Sequence, residues 1–206
     1  MTTLLAIDTS SFAYAAVLGR DGAVLASASH DDAADRTRQL IAVIDEVLGE
    51  SRASLSAIAV IVGPGSYAGL RVGISTAQGL ALALGIPVLG VSTFDAVQHA
   101  SGLRDGLLIH PAGRGQFACQ AVAGGELHAG FEVRDPADLS GAIAGEGASS
   151  VGGTDVSPMD RAMAALSLAT ARVARGDIVS GADAIYLREP HITVSRRKQT
   201  AQTTGE

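Results

Sequence analysis

Aromatic side chains are scarce, at 3% of 206 residues with no tryptophan. A platform for single-stranded nucleic acid stacks bases on aromatic faces, so that class is excluded. Charge is sparse too, at 17% against the usual quarter, and the formal net charge is −6. An acidic chain has no electrostatic grip on a phosphate backbone, and direct DNA or RNA binding is expected to be weak. Lysine occurs once, at Lys198, which leaves no Schiff-base or P-loop lysine in the body of the chain. The arginines are scattered, and Arg196-Arg197-Lys198 is the one basic cluster. The single cysteine, Cys119, excludes an internal disulfide or a CxxC site and reads as a buried structural thiol.

Catalytic signatures are equally thin. His30, His99, His110, His128 and His191 form no HxxxH or HExxH pair, so no metal is expected. No GxSxG elbow occurs. The longest apolar run, residues 68–84, carries Arg71 and Gln78 and falls short of the ~20 residues of a membrane span. No basic region precedes the first apolar run, so no secretory signal is expected. These absences together describe a soluble, reducing, cytoplasmic chain without catalytic residues, metal or cofactor.

What is present is aliphatic. Apolar residues make up 47%, enough for a core of Ala, Val, Ile and Leu that offsets the ordering entropy of the chain. Residues 4–7, 14–18 and 24–29 read as three strands, the last two joined by a hairpin at Asp21-Gly22. Leu40, Ile41, Ile44, Val47 and Leu48 share one helical face, and residues 58–62 return to a strand. Gly63-Pro64-Gly65-Ser66 breaks it and opens a helix over 67–84, stopped by Gly85 and Pro87 before a strand at 88–91. An antiparallel meander followed by right-handed crossovers gives an α/β fold with a mixed sheet covered by helices.

The second half is less regular. Residues 107–109, 117–122 and 127–133 read as strands, and 184–188 as a candidate strand. Residues 137–150 carry no clear pattern. Ser157 caps a helix over 159–175 that Gly176 stops. These elements divide the chain into a first lobe over 1–100, a compact second lobe over 101–190 and a tail over 191–206.

Two features point to chemistry or contact. Asp8-Thr9-Ser10 lies where a strand meets a turn. Its carboxylate and hydroxyls suit a metal or weak phosphate contacts, or else bond the turn backbone. Gly65, Gly69, Gly73, Ala77 and Ala81 recur every four residues and line one helix face with small side chains. Helical glycine costs about 1 kcal/mol relative to alanine, which calls for a close approach by another element, internal or in another chain. The expectation taken forward is an interface formed by Gly69, Leu70, Arg71, Gly73, Ile74 and Ala77. On that reading Gly73→Leu weakens association and leaves the monomer folded.

Leu5-Ala6-Ile7-Asp8-Thr9-Ser10, the string from Gly63-Pro64-Gly65-Ser66 through Tyr67-Ala68-Gly69-Leu70-Arg71-Val72-Gly73, and Ile86-Pro87-Val88-Leu89-Gly90-Val91-Ser92 resemble the TsaB family, also called YeaZ. The resemblance is dense over the first hundred residues. Beyond them Gly113-Arg114-Gly115-Gln116 and Tyr186-Leu187-Arg188 carry it. It implies an actin-like ATPase fold of two ribonuclease-H-like lobes. It also implies a catalytically degenerate paralogue of TsaD, the transferase that makes N6-threonylcarbamoyladenosine at position 37 of tRNA. The implied partners are a TsaD-like subunit bound through helices of the first lobe and a TsaE-like ATPase in the same complex. The tRNA is held indirectly, and the isolated chain is a candidate homodimer. Two positions depart from the family pattern: Pro111-Ala112-Gly113 replaces an Asp-Ala-Arg loop, and Arg36 stands where the first helix commonly opens with histidine. The competing readings are an ATP-dependent enzyme of the same fold and, lower, a metallopeptidase.

Overall fold

The computed structural model describes residues 1–30 and 36–187. The tail from 191, with His191 and Arg196-Arg197-Lys198, lies outside the described residues, as does Arg188. The first sheet holds β1 (Thr3–Asp8), β2 (Tyr14–Arg20), β3 (Ala23–His30), β4 (Leu55–Gly63) and β5 (Val88–Ser92), in the order β3-β2-β1-β4-β5. The meander is antiparallel, and β1, β4 and β5 run parallel. Both faces of this sheet are covered, so its central strands are apolar throughout rather than alternating with polar residues.

Alternate side chains serve two different cores. Leu5, Ile7, Ile58, Val60 and Val62 face α1 (Arg36–Leu48) and α2 (Tyr67–Leu84). Leu4, Ala6, Ala57, Ala59 and Ile61 face the opposite way, against Ala162, Ala165, Leu166 and Ala169 of α4 (Pro158–Ala174). The alanine-rich side of α4 lets the helix lie close on the sheet. In α1 the inward positions are Leu40, Val43, Ile44, Val47 and Leu48, whereas Ile41 is half exposed.

The helix ends follow local chemistry. Ser66 Oγ accepts from the Gly69 amide at the start of α2, and Gly85 ends it in the left-handed conformation. Ser157 and Asp160 form a reciprocal capping box on α4. A further helix, α3 (Thr93–Ser101), was not expected from periodicity. Ser92 caps it by accepting from the Phe94 amide, and Gly102 ends it.

The second sheet holds β6 (Gly106–Gly113), β7 (Gln116–Ala123), β8 (Glu126–Leu127), β9 (Glu132–Arg134), β10 (Ile143–Gly145) and β11 (Thr154–Asp155). The single strand expected at 127–133 is two short ones, because Gly130 turns the chain at φ 76°. Both pair with β7. Residues 184–187 form no strand; there the Ile185 amide donates to the Val62 carbonyl at 2.7 Å. Pro111-Ala112-Gly113 ends β6 at the hairpin into β7. Phe94 and Val97 of α3 pack on Leu108, Ala118 and Val122 of the second sheet, while Ala96 joins the α4 core. α3 therefore bridges the two sheets. Among the described residues no helix is long and apolar enough to cross a membrane.

Candidate functional site

β1 ends inside the protein, and the turn after it is polar and buried: Asp8, Thr9, Ser10 and Ser11 are all below 10% exposed. Buried polar groups need partners, and each here finds one. Asp8 Oδ1 accepts from the Ser10 amide at 2.7 Å and from Ser10 Oγ at 2.6 Å. Its Oδ2 accepts from Arg161 Nε at 2.7 Å. Thr9 Oγ1 donates to the Gly69 carbonyl at 2.8 Å, and the Ser10 carbonyl accepts from the Ser66 amide at 2.6 Å.

Arg161 comes from the first turn of α4 and is fully buried. Beyond Asp8, it donates from Nη1 to the Val156 carbonyl at 3.0 Å and from Nη2 to Ser11 Oγ at 3.2 Å. Its Nη2 also lies 2.8 Å from Glu146 Oε2, an ion pair with the segment after β10. His110 of β6 completes the cluster, with Nε2 3.1 Å from the Ser10 carbonyl. That partner puts the proton on Nε2, and Nδ1 faces Glu146 Oε2 at 3.9 Å. Burial, followed by the Arg161 guanidinium, pushes the His110 pKa down to about 3, so the ring is neutral.

The arrangement ties the two sheets together but offers little to a ligand. Both Asp8 oxygens are occupied, so a cation or phosphate entering here would have to displace Arg161 and Ser10. Of the two sequence readings of Asp8-Thr9-Ser10, bonding within the turn is what the Asp8–Ser10 contacts describe. Removing one member of a buried ion pair costs roughly 3–5 kcal/mol, so Arg161 and Asp8 hold each other in place. Arg161 escaped sequence reasoning because one arginine on a helix reads as a solvated residue. Among the described residues no group of three or more His, Cys, Asp and Glu could hold a metal. Cys119 is buried in β7, and burial pushes its thiol up to about 11.

The expected interface residues divide by face. Gly69, Leu70, Gly73, Ile74 and Ala77 are buried, and only Arg71 is exposed. A β-carbon on Gly69 would meet the Thr9 carbonyl at 2.1 Å, and one on Gly73 would meet Thr9 Oγ1 at 2.1 Å. The close approach expected from a second subunit is thus made by Thr9 of the same chain. The outward face of α2 is different. Arg71 lies over the Tyr67 ring at 5.4 Å, Tyr67 stacks at 5.0 Å on Tyr186, and Leu82 stands 86% exposed.

Comparison with known proteins agrees with this architecture. The family described as "TsaD: tRNA N6-adenosine threonylcarbamoyltransferase" matches residues 26–149. The Escherichia coli tRNA threonylcarbamoyladenosine biosynthesis protein TsaB is 36% identical over 108 residues, which are 50% of this chain and 46% of that protein. The chain thus spans about half the length of that curated relative. An uncharacterized protein of Mycobacterium tuberculosis is 33% identical over 144 residues, 68% of each chain. The solved structure of YeaZ from Pseudomonas aeruginosa superposes with a TM-score of 0.70 at 29% identity, covering 91% of this chain and 100% of that one.

Proposed function

We propose, from the premise that this chain belongs to the TsaD family and within it to the TsaB (YeaZ) group, that it is a non-catalytic partner subunit. It binds a TsaD-type transferase and supports formation of N6-threonylcarbamoyladenosine at position 37 of tRNA. The observation that carries this reading is the occupied carboxylate: Asp8 is fully buried and closed by Arg161 at 2.7 Å. An ATP-dependent enzyme built on this fold would need the end of β1 open to a cation and phosphates. Here a guanidinium from the chain itself fills that position.

The contact with the transferase is assigned to the outward face of α2, around Arg71, with Gly69, Leu70, Gly73, Ile74 and Ala77 setting the helix on its sheet from below. Tyrosine and arginine are the side chains most enriched where binding energy concentrates, and Tyr67, Arg71 and Tyr186 lie together there. A TsaE-type ATPase joins through the complex, and tRNA is held mainly by the transferase, since this chain is acidic.

The test is a reconstituted modification assay with the TsaD-type partner, run with and without this chain, beside metal analysis of the purified chain. Modification is expected only when both subunits are present. Turnover by this chain alone, with stoichiometric iron or zinc, would overturn the reading.

A further inference from the structure

The arginines scattered in sequence meet on the side of the first sheet opposite α1 and α2. A groove of about 500 Å³ runs between α3 and α4, lined by Arg104, Arg172, Arg175, Asp95 and His99, with Leu103 and Leu168 as apolar walls. Its size suits a small-molecule site. Three arginines and one aspartate line it, on a chain whose net charge is −6.

Two of the three guanidiniums are held in place by the backbone. Arg104 Nη2 donates to the Gly124 carbonyl at 2.8 Å, and Arg172 Nη1 donates to the Gly90 carbonyl at 2.9 Å. Each guanidinium carries five N–H donors, so these bonds leave donors unused. Arg172 Nε also lies 3.5 Å from Asp177 Oδ2, an ion pair with a residue outside the groove lining. The Arg175 side chain makes no hydrogen bond or ion pair among the described residues; only its backbone amide donates, to the carbonyls of Ala171 and Arg172. Nor does the Asp95 carboxyl, whose pKa is raised above the usual range by burial despite the nearby Arg172 charge. His99 Nε2 lies 3.0 Å from Ser167 Oγ and ties α3 to α4, so the walls are joined.

We propose that the α3–α4 groove binds a phosphate-bearing ligand, its anion held by Arg104, Arg172 and Arg175. One guanidinium fork satisfies a planar carboxylate, whereas a tetrahedral phosphate accepts from several directions and suits convergent arginines. The phosphate comes from either a free phosphorylated metabolite or an RNA strand. The groove lies across the sheet from α2, so it stays open when the α2 face is covered.

Titration calorimetry on the full chain, with inorganic pyrophosphate as the probe, tests this. Saturable binding of one equivalent is expected. Arg175→Gln, which breaks no bond among the described residues, should weaken it about tenfold, the worth of one charge-assisted contact. Asp95→Asn, which removes the one carboxylate on the groove wall, should strengthen it. Melting curves of both variants establish that they are folded. A short RNA hairpin run in parallel separates the sources: binding with the same response to both variants assigns the site to an RNA phosphate. Pyrophosphate binding without hairpin binding assigns it to a free metabolite. No saturable binding of either probe, or binding that neither variant alters, overturns the proposal.

Discussion

At Gly73 a β-carbon would lie 2.1 Å from Thr9 Oγ1 and 3.1 Å from Thr9 Cγ2. Thr9 cannot swing away freely, because its hydroxyl donates to the Gly69 carbonyl. Gly73→Ala should therefore destabilise the isolated chain by about 1–3 kcal/mol, the usual cost of overpacking. That outweighs the gain of about 1 kcal/mol from helix propensity. Gly79 of the same helix is the control: a β-carbon there meets nothing within 4 Å, and Gly79→Ala should raise the melting temperature. Equal melting temperatures for Gly73→Ala and the parent would show that Thr9 does not limit the site. The expectation that Gly73→Leu leaves the monomer folded is replaced by this one, because the small-residue ridge faces inward.

At the scale of the element, α2 has a buried side and an exposed side. Leu70, Ile74, Ala77 and Ala81 anchor it on the sheet, while Tyr67, Arg71 and Leu82 stand outward. Among the described residues Arg71 meets no carboxylate; its contacts are the Tyr67 ring and hydroxyl. Exposed substitutions of this kind shift stability within about 0.5 kcal/mol. Arg71→Glu should accordingly melt like the parent yet bind a TsaD-type partner at least about tenfold more weakly, as expected for a charge reversal at an interface. Unchanged affinity in a binding titration would remove this face of α2 from the interface. α3 works differently, since its two sides pack on different sheets and its outer edge forms the arginine groove.

At the scale of the whole molecule, Asp8 at the end of β1, Ser11 in the turn after it, Arg161 from α4, His110 from β6 and Glu146 from the segment after β10 meet in one cluster. This junction makes stability sensitive to acid in a definite direction. His110 has a pKa of about 3 in the fold against 6.5 when exposed. Between those values the unfolded chain takes up a proton that the folded chain refuses, so stability is lost as pH falls from 6.5 toward 3. The steepest slope from one proton is about 1.4 kcal/mol per pH unit. Urea unfolding at pH 7, 6, 5 and 4, compared with His110→Asn, isolates this contribution from that of the carboxylates. The variant should show a shallower fall with acid, and equal slopes would mean that His110 is not held neutral.

Local rules were enough for much of the fold. The three-strand meander, α2 between Ser66 and Gly85, and α4 after its Ser157 cap depend on turn chemistry, caps and periodicity within a few residues. The aliphatic composition likewise announced a core dominated by Ala, Val, Ile and Leu, although Tyr14, Phe94 and Phe117 are buried in it as well. Shorter elements escaped: α3 spans nine residues, too few for periodicity to stand out, although Ser92 and Gly102 marked both ends. The site was half legible, because Asp8-Thr9-Ser10 at a strand end signals a polar turn whatever surrounds it. Its meaning came from Arg161, 153 residues away, and from the packing of α4 on the first sheet rather than the second. Side-chain spacing along a helix tells which residues share a face. Which sheet that face meets is set by long-range burial, and this alone turned Asp8 into half of a buried pair and gathered Arg104, Arg172 and Arg175 into one groove.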